Sequence, residues 1–105
     1  MRDAVAQLLE ESAPPSPEFL DTLTLQIRGH LELLMPEVQE ITDRLPEDDI
    51  PRYCALACIG EARGKLRIEA RPGLSGMLAH ARRLARVLNA LCDHYETLGT
   101  APHRP

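Results

Sequence analysis

The chain has 105 residues, 44% hydrophobic and 27% charged, which excludes whole-chain disorder and fits one compact domain, spanning 1–105, rather than two. Aromatics are only 3%, namely Phe19, Tyr53 and Tyr95, so 17 leucines must supply most of the core, and a stacking platform for bases or sugars is argued against. The net charge of −4 is uneven: residues 1–50 hold twelve acids and three bases (net −9), whereas residues 51–105 hold nine bases and four acids (net +5).

The first predicted element, about Asp3 to Glu11, places Val5, Leu8 and Leu9 on one helical face and is short enough to need docking. Ala13-Pro14-Pro15-Ser16-Pro17 then reads as a stiff linker, so residues 1–15 form an N-terminal helix and linker. Ser16 is an expected N-cap, with Pro17 at the first helical position and Glu18 in the first turn.

Leu20, Leu23, Ile27, Leu31, Leu34, Val38, Ile41 and Leu45 alternate by threes and fours, the signature of a long second helix ended by Pro46. Pro36 interrupts its backbone ladder but not its stripe, which predicts one kinked helix rather than two. The short Leu45–Asp48 connection predicts a third helix antiparallel to the second, capped by Asp48 or Asp49. Its core stripe is Ala55, Ile59, Ala62 and Leu66, and behind it lie the small residues Cys54, Ala57, Gly60 and Gly64. Close approach of another helix would offset the helical cost of those glycines, so this helix is expected to be central and contacted on two sides.

A turn at Arg71-Pro72-Gly73 leads to the last helix, Ser75 to Leu98, with its stripe on Met77, Ala81, Leu84, Leu88, Leu91, Tyr95 and Leu98. Gly99 is expected to close it, leaving 99–105 as a tail. The predicted helices reach about 43, 30 and 36 Å in order, which makes the second too long for its neighbours. The fold class is therefore an all-α antiparallel bundle of three long helices plus a short N-terminal one.

Chemistry is harder to find. Ile27, Met77 and Leu91, three residues before His30, His80 and His94, rule out the Glu-x-x-His pairs of a di-iron bundle. Cys54 and Cys58 are four apart and Cys92 could approach them, but the spacing is not a metal knuckle and small-residue packing accounts for the trio. No catalytic residue, metal or cofactor is called for. Pro72–Gly76 precedes a helix N-terminus, where amides could hold an anion, though most such loops are only turns.

Polar residues flank the stripes where ligand or register contacts are made: His30, Glu37 and Arg44 on helix two, Arg63 on helix three, His80 and His94 on helix four. Of these, His30, Glu37, Arg63 and His94 form a candidate polar cleft. Arg82, Arg83 and Arg86 form a basic outer face on helix four, a candidate surface for a partner. The acidic half weighs against nucleic acid on that face. No apolar run suits a signal peptide or a membrane span, and three cysteines is an odd count, so the expected compartment is the cytoplasm.

Several strings stand together in order: Arg28-Gly-His-Leu-Glu-Leu-Leu-Met-Pro-Glu-Val38, Asp48-Asp-Ile-Pro-Arg52, Ile59-Gly-Glu-Ala-Arg63, His80-Ala-Arg-Arg-Leu-Ala-Arg86 and Asn89-Ala-Leu-Cys-Asp-His-Tyr-Glu96. Over about residues 20–98 they resemble a family of small uncharacterised proteins, a domain of unknown function from high-GC bacteria loosely tied to natural-product biosynthesis. That resemblance implies no catalytic residues and no cofactor; the polar residues of its strings (His30, Glu37, Glu61, Arg63, Arg83, Asp93, His94) are the candidates it implies for a shared site, which adds Glu61 and Asp93 to the candidate polar cleft. Eleven Arg against one Lys agrees with a high-GC source. The expected function is a non-enzymatic accessory or regulatory protein that binds a protein partner or its own copy. The alternative is a small-molecule binder or enzyme using the polar cleft, with nucleic-acid binding behind both.

Overall fold

The computed structural model describes residues 1–9 and 16–100. Its described residues are all-α: three long helices, α2 (Pro17–Asp43), α3 (Ile50–Arg67) and α4 (Leu74–Thr100), preceded by the eight-residue α1 (Arg2–Leu9). Residues 10–15, which hold most of the expected Pro-rich linker, and 101–105 of the expected tail lie outside the described residues, as do the side chains of Leu8 and Leu9.

Local chemistry explains the helix starts. Ser16 Oγ accepts from the Phe19 amide at 3.2 Å, with Pro17 fixed in helical φ just after it. The Asp49 carboxylate accepts from the Arg52 amide at 2.9 Å and caps α3 in the same way. Helix α2 runs unbroken through Pro36. Pro36 and Glu32 are both exposed, so water can reach the carbonyl that the proline deprives of its donor. The helix stops at Asp43, before Leu45, with Arg44 donating back to the Ile41 carbonyl at 3.2 Å. The turn before α4 uses Gly73 at φ +90°, and a Cβ at Gly76 would collide with the Arg71 carbonyl.

The stripes form the core. Leu20, Leu23, Ile27, Leu31, Leu34 and Val38 of α2 are buried, as are Ala55, Ile59 and Ala62 of α3 and Ala81, Leu84, Leu88 and Leu91 of α4. On α4, Ala85, Val87 and Cys92 are buried as well, so its apolar arc is wider than one stripe. All three other helices pack on α4, and α1 packs on α2 and α4 but not on α3. The core contains no aromatic ring: Phe19 is 47% exposed, Tyr53 71% and Tyr95 42%.

Three expectations are corrected here. Helix α3 is an edge, not the centre. Its second face is exposed at Cys54, Ala57, Gly60 and Gly64, and a Cβ on either glycine would meet nothing within 4 Å. The reason is that α4 offers the widest apolar arc, and three neighbours gather on it. Helix α2 is not too long either, because α4 continues helically through Gly99 and both helices have 27 residues, about 40 Å. The methyl of Ile41 on α2 lies 3.8 Å from where a Gly99 Cβ would stand, so the two long helices stay together to their last turns. Tyr95, placed in the core by its spacing, sits at the rim instead; the amphipathic phenol is favoured where one edge stays wet.

Candidate functional site

Three polar anchors tie the helices together. Arg52 Nε donates to the Thr42 carbonyl at 3.1 Å, which pins the start of α3 to the end of α2. Thr42 itself is fully buried, and its hydroxyl donates to the Gln39 carbonyl at 2.8 Å. Arg28 of α2 donates to the Leu66 carbonyl at 3.0 Å and so satisfies an unpaired acceptor at the end of α3. At the other end Arg2 of α1 meets three α4 side chains: Asp93 at 2.7 Å, Glu96 at 3.1 Å and the Asn89 side-chain carbonyl. Arg2 belongs to the acid-rich half and its partners to the base-rich half, so this link between halves runs opposite to the direction the bulk charges suggest.

Two concave regions flank α2, each of about 450 Å³. The first lies among α1, α2 and α4 and is bounded by Met1, Arg2, Leu33, Leu34, Glu37, Cys92, Tyr95 and Glu96. Its walls are mainly apolar, with the exposed Glu37 carboxylate at the rim. The second is a groove between α2 and α3, bounded by Arg63 of α3 and by Glu32, Pro36, Glu40 and Asp43 of α2. Glu40 is also engaged by Arg44 at 2.8 Å along its own helix.

The six polar-cleft residues are therefore distributed. Glu37 lines the first cavity and Arg63 the second. Asp93 is exposed and held by Arg2. His30 is half-buried on α2; burial and the nearby chain amine keep its proton affinity below the ordinary histidine value. His94 is half-buried on α4, and Glu61 is exposed on α3. Of the basic residues, Arg83 and Arg86 are exposed, whereas Arg82 is half-buried and engaged.

His80 of α4 is buried, 6% exposed. Burial first, then the charges of Arg28 on α2 and Arg83 on its own helix, lower its proton affinity below the ordinary histidine value. The cysteines separate as well. Cys54 is exposed and Cys58 buried, although four-residue spacing suggests that both face one way. Burial, assisted by Glu61, pushes the Cys58 thiol up to about 11. Cys92 is also buried and its thiol is shifted upward. Among the described residues no three His, Cys, Asp or Glu side chains gather to hold a metal ion.

The least expected surface is the outer side of α3. Ile50 is 75% exposed and Tyr53 71%. With Ala57, Gly60 and Gly64 they recur at spacings of 3, 4, 3 and 4, a complete helical stripe directly opposite the core stripe. The face comprises Ile50, Tyr53, Cys54, Ala57, Gly60, Glu61 and Gly64, with Glu61 as its charge until the exposed Arg67 continues the stripe at the helix end. A solvated helix face is ordinarily polar and charged. The sequence holds this signal as a second apolar period, which periodicity alone assigns to a neighbour inside the bundle. Arg2, Arg28 and Arg52 have no comparable signal, because their partners are carbonyls or side chains on distant helices.

The geometry defines, among the described residues, a small all-α bundle with a sparsely charged outer face on α3 and a concavity on either side of α2. A family model described as a family of unknown function (DUF6415) matches residues 1–100, and the chain belongs to that family. No curated protein and no solved structure matches. No helix among the described residues is long and apolar enough to cross a membrane.

Proposed function

We propose that this protein is a non-enzymatic accessory or regulatory factor that works in the cytoplasm by protein–protein contact. The observation that carries the reading is the outer face of α3, where one charge in seven residues and two large exposed apolar side chains mark a surface suited to burial. In this reading α2 runs up, α3 down and α4 up. The pairs Arg52–Thr42 and Arg28–Leu66 support opposed α2 and α3, and Ile41 beside Gly99 supports parallel α2 and α4. The proposed role is in natural-product biosynthesis, which rests on the resemblance of the quoted strings, in a high-GC bacterium, which eleven Arg against one Lys supports.

The test is capture from the native host, with wild type and Tyr53→Glu as parallel baits and mass spectrometry as readout. A specific protein retained by wild type and lost by Tyr53→Glu is expected. Equal recovery by both baits, or nothing above the bead control, would overturn the reading.

A second reading is favoured by the cavity bounded by Leu33, Leu34, Tyr95, Glu37 and Glu96, whose size suits a small organic ligand. Arg2 already holds Glu96 at this cavity, which leaves the Glu37 carboxylate at the rim of apolar walls to meet the ammonium of a hydrophobic amine. Glu37→Gln should then weaken binding of a hydrophobic amine probe; no saturable binding by calorimetry would remove this reading. Arg83 and Arg86 are the remaining candidates for a polyanion, and a salt-sensitive shift with DNA is their test.

A further inference from the structure

The exposed stripe on α3 is not uniform. It begins with two large side chains, Ile50 and Tyr53, passes through Ala57 and ends with Gly60 and Gly64. Nothing else in the fold stands within 4 Å of a Cβ on either glycine, so their smallness serves no packing inside the bundle. On a helix, residues 57, 60, 61 and 64 surround one hole of the kind that receives a single side chain from a facing helix. Here three of its four walls are Ala or Gly, which leaves a hole deep enough for an aromatic ring.

We infer that the occupant of this face is a second copy of the same chain, with the two α3 helices crossing antiparallel about a two-fold axis at Ala57. This rests on the protein-contact reading above and adds the partner and the register. In that register Tyr53 of each copy enters the hole formed by Ala57, Gly60, Glu61 and Gly64 of the other. Ile50 falls beside the other copy's Gly64 and Ile68, itself 49% exposed. Large side chains thus meet small ones at both ends, as an isologous contact requires.

Charge agrees. Glu47 and Asp48 are exposed just ahead of α3, and its last turn carries Lys65 and Arg67. The antiparallel register brings the acidic start of each helix level with the basic end of the other and opposes their dipoles. A parallel pairing would set Tyr53 against Tyr53, leave a void at Gly64 and place acid on acid. One 18-residue helix, about 27 Å long, supplies an interface at the small end of the specific range, so the concentration series that tests it spans about 1–100 µM.

The experiment uses the full chain with Cys54→Ser as background, since Cys54 is the exposed thiol on this side. In sedimentation velocity the background protein should pass from monomer to dimer over that concentration range, and Tyr53→Glu should shift the transition at least tenfold upward. Adding Ala57→Cys should give rapid disulfide-linked dimers under glutathione oxidation. Adding Gly64→Cys should not, because the two copies of residue 64 would stand about 21 Å apart along the axis. Monomer throughout, or linkage at 64 as fast as at 57, would overturn the inference. The two proposals fail separately. A monomer whose host partner is lost with Tyr53→Glu leaves the contact reading standing and refutes self-pairing. A dimer whose Tyr53→Glu variant recovers the same host proteins does the reverse.

Discussion

Replacing Gly60 and Gly64 by Ala should make the isolated chain more stable, which runs against the usual expectation for glycines in a packed bundle. Both residues lie inside α3, both are exposed, and an added Cβ would meet nothing within 4 Å at either. What remains is the backbone: glycine in a helix interior is about 0.5–1 kcal/mol worse than alanine because it has more freedom to lose on folding. The two sites share no partner, so the double variant should gain about 1–2 kcal/mol. For a domain near this size that raises Tm by roughly 4–16 °C. The measurement is thermal unfolding by circular dichroism, at protein concentrations low enough to keep the chain monomeric. Gly29→Ala on α2 is the control, since it too has open space around it but lies outside the α3 stripe. It should gain as much per site. A double variant with unchanged or lower Tm, beside a Gly29→Ala that gains, would show that the α3 glycines have a neighbour in the monomer, and the edge position of α3 would be wrong. At high concentration the curves should converge, because the methyl added at position 64 fills part of the hole that Tyr53 needs.

Ser16→Ala should cost about 1 kcal/mol in urea denaturation by removing the acceptor for the Phe19 amide. Leu31→Ala, at a fully buried position, should cost about 2–5 kcal/mol by the same measurement. Under native conditions one thiol in three, Cys54, should react promptly with a disulfide reagent. Cys58 and Cys92 should follow only at the rate of opening, read by mass spectrometry. His30 and His80 both resist protonation in the fold, so below about pH 6.5 the unfolded chain binds protons that the folded chain does not, and stability falls as pH drops from 7 towards 5. His80→Gln should flatten that slope in denaturant titrations across the same window.

The apolar stripes of α2 and α4 were legible because threes and fours kept phase over many turns, and the caps at Ser16 and Asp49 because a short oxygen-bearing side chain stands just ahead of each helix. What could not be read was which helix gathers the others. Periodicity reports that a face is apolar, not what covers it. The second face of α3 and the flank of α4 at Ala85, Val87 and Cys92 look alike as patterns. Only the packed structure shows that the α4 flank is covered and the α3 face is open. The polar-cleft residues illustrate a related limit. Glu37 and Arg63 both flank core stripes, yet they line separate concavities on either side of α2.

The scarcity of aromatics then has a consequence for the surface. A core built from aliphatic side chains alone leaves Phe19, Tyr53 and Tyr95 all partly or mostly exposed, although aromatic rings are the side chains that gain most from burial in contacts between proteins. Phe19 stands at the first turn of α2, where the N-cap places it, and Tyr95 lines the rim of a cavity. Tyr53 has neither role. It is the most exposed of the three and sits on a sparsely charged face, three residues after an even more exposed isoleucine. Solubility alone would favour a lysine or glutamate there at no cost to the core. The tyrosine is therefore the residue whose replacement separates a surface that merely faces water from one that is covered when the protein works.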